Sequence, residues 1–221
     1  MSVSVILLSG GRGTRFGGPL PKQYLPIHEK AAILYSFETC ANHPSVSEII
    51  VVCEENYRSL FPAPPHLRLA FALPGERRQD SVFHGFQIIS PTAQLVCVHD
   101  GARPLLSHED LTAVINAAHE HGAATLAIKA QNTIKEASPT GFIAKTLDRS
   151  ILWEMQTPQV FTPDLLKKGF ALANASGYQV TDDNSIVELT GHPIKLVQSQ
   201  HCNLKITTAE DLLLAKAITH A

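Results

Sequence analysis

The chain has 221 residues, of which 44% are hydrophobic and 17% are charged, and its formal net charge is −2. This length and balance suit one globular domain with enough apolar material for a core. The small net charge excludes a global basic field for nucleic acid or anionic lipid, and no apolar run approaches the roughly 18 residues of a membrane-spanning helix.

Apolar runs rich in β-branched residues alternate with helical patterns in the first part of the chain. Strands are predicted at 3–8, 48–53, 67–72, 95–99 and 123–128. Helices are predicted between them at 31–42, 78–89 and 107–122, the last with Ser107 as its N-cap and Gly122 as its C-cap. The strand runs are continuous rather than alternating, which is typical of strands buried on both faces. This order predicts an α/β fold with a doubly wound, mostly parallel sheet.

The pattern changes at residues 130–150. Polar and apolar residues alternate there around the turn sequence SPTG, which predicts a β-hairpin. The segment has too little apolar surface for a domain of its own, so we interpret it as a protruding arm inserted into a single domain, 1–221. Such an arm packs against something else, often another subunit. Beyond it, Pro158 is interpreted as a turn, helices are predicted at 162–177, 181–191 and 207–221, and a strand is predicted at 194–199.

The segment LLSGGRGTRFGGPLPKQYLPI, residues 7–27, directly follows the first predicted strand. In a doubly wound sheet, ligands bind outside the carboxyl ends of the strands. The glycines let backbone N–H groups approach an anion, and Arg15 and Lys22 add positive charge. The segment therefore predicts a site for several adjacent phosphates. It contains neither the P-loop pattern GxxxxGK[ST] nor the dinucleotide fingerprint GxGxxG.

Asp100 ends a predicted strand at the same edge of the sheet. A carboxylate in this position can hold a divalent ion that bridges phosphates, since Mg²⁺ uses one or two carboxylates plus phosphate oxygens. Arg103 could neutralise phosphate or orient Asp100. His99 is interpreted as a structural neighbour. The sequence HEH at 119–121 is interpreted as solvated surface, because residues two apart face different sides of a helix.

Several motifs together give the chain a family resemblance. SGGRGTRFGGPLPKQ resembles the signature loop of nucleotidyltransferases. It is followed in order by PGERRQDSVFHGF (74–86), VHDGARPLL (98–106), NTIK (132–135), LDRSILWEMQTPQVF (147–161), TDDNS (181–185) and NLKITTAEDLLLA (203–215). In this combination nearly the whole chain resembles the 2-C-methyl-D-erythritol 4-phosphate cytidylyltransferase family. Pro74 stands where we expect a glycine, and the segment 26–36 lacks the glycine at which the family turns before its first helix.

The resemblance implies a Rossmann-like nucleotidyltransferase fold and a reaction of CTP with methylerythritol phosphate that releases pyrophosphate. It implies a homodimer formed through the 130–150 arm, and Mg²⁺ or another divalent cation held by Asp100. The implied catalytic residues are Arg15, Lys22, Asp100 and Lys205. The implied nucleotide-binding residues are Ser9, Gly10, Gly11, Gly13, Gly75, Glu76 and Ser81. The implied substrate-binding residues are Arg103, Thr133, Arg149 and Thr181, with Thr157 behind them.

Three alternative functions stay open at this point. A ribitol 5-phosphate cytidylyltransferase would share the CTP half, the metal and the arm, and would differ only in the acceptor pocket. A sugar 1-phosphate nucleotidyltransferase using UTP or dTTP is not favoured by the middle and C-terminal motifs. A non-catalytic nucleotide-binding regulatory protein could lose Lys22, Asp100 or Lys205 and still fold, yet all three are present.

The cysteines and the first apolar run bear on the cellular compartment. The four cysteines are scattered without CxxC spacing, and the first apolar run is too short for a signal peptide and lacks a basic flank. We therefore expect a reducing compartment, either the cytoplasm or the plastid stroma after removal of a transit peptide.

Overall fold

The computed structural model describes residues 1–11, 16, 20–178, 180 and 182–219. The strands in these residues are β1 (Val3–Leu8), β2 (Pro26–Ile27), β3 (Lys30–Ala31), β4 (Val46–Val52), β5 (Arg68–Ala72), β6 (Leu95–Asp100), β7 (Ala123–Lys129), β8 (Lys135–Ala137), β9 (Ile143–Thr146), β10 (Trp153–Phe161) and β11 (Lys195–Gln198). The α-helices are α1 (Ala32–Ala41), α2 (Arg78–Phe86), α3 (His108–His121), α4 (Pro163–Ser176), α5 (Asp183–Glu188) and α6 (Ala209–Ile218). Short 3₁₀ helices lie at Lys22–Tyr24, Glu55–Leu60 and Arg149–Ile151.

Seven strands form the central sheet in the order β11-β7-β10-β6-β1-β4-β5. Strand β10 runs antiparallel to β6 and β7, while the remaining pairs are parallel. The chain moves from β1 to β4 and β5 in one direction, and then crosses back so that β6 lies on the other side of β1. This reversal opens a crevice at the carboxyl ends of β1 and β6, where Leu8 is the register partner of Asp100.

The sheet is covered on both faces. Successive side chains of β1 point to opposite sides. Leu7 therefore lies in one buried cluster with Phe37 of α1 and Ile115 of α3. Ile6 lies in a second buried cluster with Val82 of α2 and Phe170 of α4, among others. This two-sided burial is the reason that the strand sequences are continuously apolar, and it confirms the predicted doubly wound sheet.

The predicted strands and helices are all present, with ends that differ by a few residues. The arm is also a hairpin, because β8 and β9 pair in antiparallel fashion around the turn at 138–141. The interpretation of Pro158 as a turn is wrong, because Pro158 lies inside β10. The pairing of β10 with β7 shifts register between Met155 and Gln159, and proline is tolerated at such an irregularity because its missing N–H is not needed there.

The segment that lacks a glycine before α1 turns at His28. Strands β2 and β3 pair in antiparallel fashion, and His28 between them has a φ of 53°. The Nε2 atom of His28 lies 3.0 Å from the carbonyl oxygen of Lys216 and 3.0 Å from the hydroxyl of Thr219. Contacts with the end of α6 therefore hold this left-handed conformation. None of the helices in the described residues has both the length and the apolar character needed to cross a bilayer.

Candidate active site

A cavity of about 640 Å³ opens at the crevice where β1 and β6 end. Four segments that are distant in sequence form its wall. The lining residues are Leu8, Gly10, Gly11, Phe16, Lys22, Gln23, Gly75, Glu76, Arg77, Arg78, Ser81, Asp100, Ala102, Lys205 and Thr207. The predicted phosphate loop, the 74–86 motif, the end of β6 and the C-terminal motif therefore meet in one place.

The base of the glycine-rich loop is held by hydrogen bonds beneath the cavity. The N–H of Ser9 donates to the carbonyl of Val52 at 2.9 Å, and its hydroxyl donates to the Tyr24 hydroxyl at 2.5 Å. The side-chain amide of Gln23 donates to the carbonyl oxygens of Ser9 and Gly11 at 2.7 and 2.9 Å. These bonds fix the two ends of the loop together and place Lys22, the residue before Gln23, at the cavity wall.

The backbone of Gly10 packs directly against Pro74. A Cβ atom built on Gly10 would lie 2.2 Å from the Cβ of Pro74, whereas a Cβ atom on Gly11 would meet nothing within 4 Å. Gly75 is equally constrained, since its Cβ would lie 2.4 Å from the Cβ of Asp80. The two glycine-containing loops therefore touch at Gly10 and Pro74, while Gly11 leaves open space beside the cavity.

The segment that leads into α2 is closed by Ser81. The N–H of Gly75 donates to the Ser81 hydroxyl at 3.0 Å, and this hydroxyl lies 3.3 Å from the Arg77 carbonyl, to which it donates. Glu76 is exposed at the cavity wall. Ser81 thus shapes the loop that presents Glu76, in addition to lining the cavity itself.

A buried carboxylate and two partly exposed cations form the floor of the cavity. The Nε and Nη2 atoms of Arg78 donate to Oδ1 of Asp100 at 3.1 and 3.0 Å, and Nζ of Lys205 donates to Oδ2 of Asp100 at 2.5 Å. Burial alone would raise the pKa of Asp100, but the charges of Arg78 and Lys205 outweigh this effect and lower that pKa far below its usual range. Asp100 is therefore ionised throughout the physiological pH range.

The backbone of Asp100 is fixed by a relay of hydrogen bonds behind the cavity. The N–H of Asp100 donates to Oγ1 of Thr157 at 3.0 Å, and Oγ1 lies 3.1 Å from Nδ1 of His99. The Nε2 atom of His99 lies 3.1 Å from the carbonyl oxygen of Arg103. Because a carbonyl can only accept, Nε2 carries the proton and Nδ1 accepts from Thr157. Burial favours this neutral form and lowers the pKa of His99 to about 4.

Lys205 reaches Asp100 because two loops are joined. The N–H of Ile206 donates to the carbonyl of Ala102 at 2.8 Å, and Nη1 of Arg103 donates to the carbonyl of Asn203 at 2.7 Å. The guanidinium of Arg103 therefore bonds to the backbone that leads to Lys205, and the N–H of Arg103 donates to the carbonyl of Asp100 at 2.9 Å. That Arg103 orients the carboxylate of Asp100 stays a prediction.

A model of the 2-C-methyl-D-erythritol 4-phosphate cytidylyltransferase family matches residues 3–221. The chain belongs to this family. A chloroplastic 2-C-methyl-D-erythritol 4-phosphate cytidylyltransferase of Oryza sativa subsp. japonica is 48% identical over 220 residues, which cover 98% of this chain and 74% of the relative. A relative of the same name from Chlamydia pneumoniae is 41% identical over 215 residues, 97% of this chain and 98% of its own length.

Solved structures of cytidylyltransferases have the same fold. The 4-diphosphocytidyl-2C-methyl-D-erythritol synthase of Anaerococcus prevotii DSM 20548 matches with a TM-score of 0.87 and 26% identity, over 99% of this chain and 98% of that chain. The 2-C-methyl-D-erythritol 4-phosphate cytidylyltransferase of Francisella tularensis matches with a TM-score of 0.84 and 27% identity, over 98% and 99%. The fold is thus the nucleotidyltransferase fold that the resemblance implied.

The cavity brings together eight of the residues that the cytidylyltransferase resemblance singled out. These are Gly10, Gly11, Lys22, Gly75, Glu76, Ser81, Asp100 and Lys205. Ser9 and Arg103 are not among the residues that line the cavity, although their neighbours Gly10 and Ala102 are. Thr133 and Arg149 are exposed on the arm and do not line the cavity of their own chain. Arg15, Gly13 and Thr181 lie outside the described residues.

Sequence reasoning missed Arg78 and its second partner, Asp183. Nη2 of Arg78 lies 2.8 Å from Oδ2 of Asp183, in addition to its contacts with Asp100. A signal was present, because Arg77 and Arg78 occupy the start of a predicted helix, where the helix dipole disfavours positive charge. Two arginines at that position require carboxylate partners, and Arg77 has one locally in Asp80.

Proposed function

We propose that the chain transfers a cytidylyl group from CTP to 2-C-methyl-D-erythritol 4-phosphate, giving 4-diphosphocytidyl-2-C-methyl-D-erythritol and pyrophosphate, in the non-mevalonate route to isoprenoid precursors. Membership of the family supports this reaction. The observation that carries it is the meeting of Lys22, Lys205 and Asp100 in one cavity with Gly11 and Gly75 at its wall. The cavity therefore combines positively charged side chains with glycine backbone that a ligand can approach closely, and a bound triphosphate needs both.

The reaction is an in-line displacement. An oxygen of the acceptor phosphate attacks the α-phosphorus of CTP, a new P–O bond forms, and the bond from the α-phosphorus to the bridging oxygen breaks, so that pyrophosphate leaves with its electron pair. No residue of the enzyme needs to form a covalent bond. Lys22, together with Arg15, would hold the triphosphate and stabilise the charge on the pentavalent phosphorus. Lys205 would hold the acceptor phosphate beside the α-phosphorus.

The nucleotide half of the site would comprise both glycine-containing loops. Backbone groups of the residues from Ser9 to Gly13 would contact the phosphates, and Gly11 has the open space that such contact requires. Gly75, Glu76 and Ser81 would read the cytosine edge, since a pyrimidine presents a small set of donors and acceptors. The contact between Gly10 and Pro74 supports this arrangement, because it holds the two loops at a fixed separation.

A divalent cation, Mg²⁺ in our proposal, would bind at Asp100. The carboxylate fits such an ion because it is ionised, lies at the cavity floor and has about four lone-pair sites, of which Arg78 and Lys205 use part. No group of three or more His, Cys, Asp or Glu side chains suited to a metal occurs in the described residues. A Mg²⁺ site of one carboxylate plus phosphate oxygens does not need such a group. Bound there, the ion would neutralise charge on phosphate oxygens.

The acceptor half would be completed by a second copy of the chain. The arm exposes two large apolar side chains, with exposed fractions of 74% for Phe142 and 69% for Ile143, and Ile151, directly after the arm, is 74% exposed. Apolar surface of this kind marks an interaction site. We infer that 130–150 is a dimerisation arm on a single domain, 1–221, and that Thr133 and Arg149 reach the partner's cavity, where Thr181 and Arg103 complete acceptor binding.

The proposed compartment is the cytoplasm, or the plastid stroma for a chain whose leader has been removed. All four cysteines are free thiols, and Cys202 is exposed. An exposed free thiol is typical of a reducing compartment.

The direct test measures pyrophosphate release with CTP and Mg²⁺, offering methylerythritol 4-phosphate and ribitol 5-phosphate in parallel. We expect a strong preference for methylerythritol 4-phosphate. Preference for ribitol 5-phosphate would keep the CTP site and refute the acceptor assignment. Release with neither acceptor, from a folded protein that binds CTP, would refute the catalytic function.

A further inference from the structure

Lys205 lies on a stretch of chain that is neither helix nor strand. Residues 202–207 connect β11 to α6 through irregular backbone. Such backbone is held in place by the individual contacts that it makes with the rest of the fold. The ammonium group of Lys205 ends a flexible four-carbon stem, yet it lies 2.5 Å from Oδ2 of Asp100. Its position therefore depends on how the main chain is fixed on each side of Lys205.

The main chain after Lys205 is fixed by burial and by a backbone bond. Ile206 is fully buried and packs in one cluster with Ile27 and Ala215. The N–H of Ile206 also donates to the carbonyl of Ala102 at 2.8 Å. Apolar packing therefore holds this side of Lys205 against the start of the chain and α6.

The main chain before Lys205 is fixed by the side chain of Asn203. Cys202 is exposed, whereas Asn203 is 1% exposed. The side-chain Nδ2 of Asn203 donates to the carbonyl of Thr157 at 2.8 Å and to Oε1 of Gln156 at 3.3 Å. Both acceptors belong to β10, an inner strand of the sheet. One amide therefore ties the irregular segment to the sheet.

Thr157 holds both partners of the contact between Asp100 and Lys205. Its hydroxyl accepts from the N–H of Asp100 at 3.0 Å. Its carbonyl accepts from Asn203, two residues before Lys205. The main chains of both charged residues are thus attached to one residue of β10. The bond from Asn203 sets where the main chain of Lys205 lies relative to Asp100.

We propose that Asn203 is a positioning residue for Lys205 in the transfer reaction. Its amide keeps the ammonium group of Lys205 beside Asp100 at the cavity floor. Asn203 is buried and is not among the residues that line the cavity, so it acts through Lys205 rather than by touching substrate. This inference rests on the proposed function, which assigns the acceptor phosphate to Lys205.

The test begins with Asn203→Leu in the full chain. Leucine keeps the branching of the side chain and cannot donate a hydrogen bond to Thr157. Initial rates with radiolabelled CTP give kcat/KM for methylerythritol 4-phosphate. A misplacement of about 1 Å can lower a rate by about 100-fold, and the flexible stem of lysine compensates for part of it, so we expect a loss of about tenfold or more.

The nucleotide half of the site provides an internal reference. Calorimetry measures the affinity for a CTP analogue that has a methylene group between the α- and β-phosphates and cannot react. This affinity should change by less than about threefold in Asn203→Leu, because sites without shared partners respond independently. It also shows, together with circular dichroism, that the variant is folded at the temperature of the assay.

A double-mutant cycle with Lys205→Ala separates positioning from a general structural role. If Asn203 acts through Lys205, removal of the ammonium group removes most of what Asn203 contributes. Asn203→Leu should then lower kcat/KM by about threefold or less in the Lys205→Ala chain, against about tenfold or more in the native chain. A purely structural role would give the same factor in both chains.

Two further variants complete the experiment. Gln200→Leu is the matched control, because Gln200 is exposed in the same connection and its side-chain amide donates to the carbonyl of Gln198 at 3.1 Å. It should keep the native kcat/KM. Asn203→Ser retains a donor on a shorter side chain and should lose less activity than Asn203→Leu. It passes through the same cycle, so the prediction is tested even if Asn203→Leu does not fold.

Three results would overturn the proposal. One is a native kcat/KM for the acceptor in folded Asn203→Leu. Another is an equal loss in the native and Lys205→Ala chains, which would show that Asn203 does not act through Lys205. The third is a loss of analogue affinity as large as the loss of kcat/KM. A native chain that binds the analogue and does not convert the acceptor would instead refute the proposed function.

Discussion

The backbone N–H of Asp100 donates a hydrogen bond of 3.0 Å to the hydroxyl of Thr157, 57 positions later in the chain. This hydroxyl is in turn 3.1 Å from Nδ1 of His99. Strand β10 therefore fixes the main chain at the carboxylate that sits in the centre of the charge cluster. The bond explains why the cavity floor needs the antiparallel strand as well as the parallel sheet.

Replacing Thr157 with valine should weaken both stability and turnover. The change leaves the N–H of Asp100 and Nδ1 of His99 buried without partners, which costs about 1–3 kcal/mol in the free energy of unfolding. A shift of the carboxylate by about 1 Å would lower the rate by about 100-fold. Urea unfolding and steady-state kinetics measure the two effects. Thr157→Ser retains the hydroxyl and should stay close to the native values. Equal losses in both variants would show that the hydroxyl is not the cause.

His99 should make the folded protein less stable as the pH falls from 6.5 to 4. Burial lowers the pKa of His99 in the folded chain from 6.5 to about 4. In this interval the unfolded chain binds a proton that the folded chain does not, so stability is complete above pH 6.5 and decreases as the pH falls. The decrease reaches on the order of 3 kcal/mol near pH 4.

Urea unfolding between pH 4.5 and 7.5 tests this effect in the native chain and in His99→Gln, which should lose that part of the pH dependence. His43 is a necessary control, because burial also lowers its pKa and acts in the same direction. The His43→Gln variant should keep the His99 contribution. A difference in stability between the native chain and His99→Gln that does not vary with pH would contradict the assignment.

Adding a methyl group at Gly10 should destabilise the protein, and removing Pro74 should rescue it. An alanine Cβ at position 10 would lie 2.2 Å from the Cβ of Pro74, an overlap that must move one of the two loops. Such overpacking costs about 1–3 kcal/mol. Gly11→Ala is the matched control, since its Cβ meets nothing within 4 Å, and its stability should change by less than about 0.5 kcal/mol.

The double variant Gly10→Ala/Pro74→Gly removes the overlap. Pro74→Gly alone should cost about 0.4–1 kcal/mol through the greater freedom of the unfolded chain. In the Gly10→Ala background the same change should instead be stabilising, a non-additivity that thermal or urea unfolding can measure. Additive effects would show that the two loops do not press on each other.

The sheet could be predicted from local rules, because continuous apolar runs indicate buried strands. Lys22 and Asp100 could be predicted from their places after strands, whereas Gly75, Glu76, Ser81 and Lys205 followed only from the family resemblance. The contacts that Arg78 makes could not be predicted, because they join it to Asp100, 22 positions later, and to Asp183, in a still more distant part of the chain. The place of Pro158 inside a strand could not be predicted, because proline occurs both in turns and at irregularities within strands. The pairing of β10 with β7 shows that Pro158 lies at such an irregularity.

Lys22→Ala should lower turnover far more than it lowers stability. Lys22 is half-buried at the cavity wall. Loss of one preorganised cation at the transition state lowers the rate by about 100-fold or more, as removal of an oxyanion-hole donor does. Lys195→Ala removes an exposed lysine of β11 and is the control for loss of charge alone. A folded Lys22→Ala variant with the native turnover rate would refute the catalytic role.

The arm should supply residues to the partner's active site. Deleting residues 136–145 should give monomers in light scattering and abolish activity. The single substitution Phe142→Glu should have the same effect, because Phe142 is 74% exposed in the single chain and the new charge would lie in the proposed dimer interface. Leu213→Glu is the control, since Leu213 is 66% exposed on α6, away from the arm. An active monomer would contradict the shared site.

A mixed dimer gives the sharper measurement. Arg149→Ala should inactivate the partner's cavity, and Lys22→Ala should inactivate the cavity of its own chain. In a dimer with one chain of each kind, both lesions fall on the same cavity and the other cavity is intact. Mixing the two inactive variants under conditions that exchange subunits should therefore restore activity, up to about one quarter of the native value per total protein when exchange is random and complete. If Arg149 served its own chain's cavity, each cavity of the mixed dimer would carry one lesion and mixing would restore nothing.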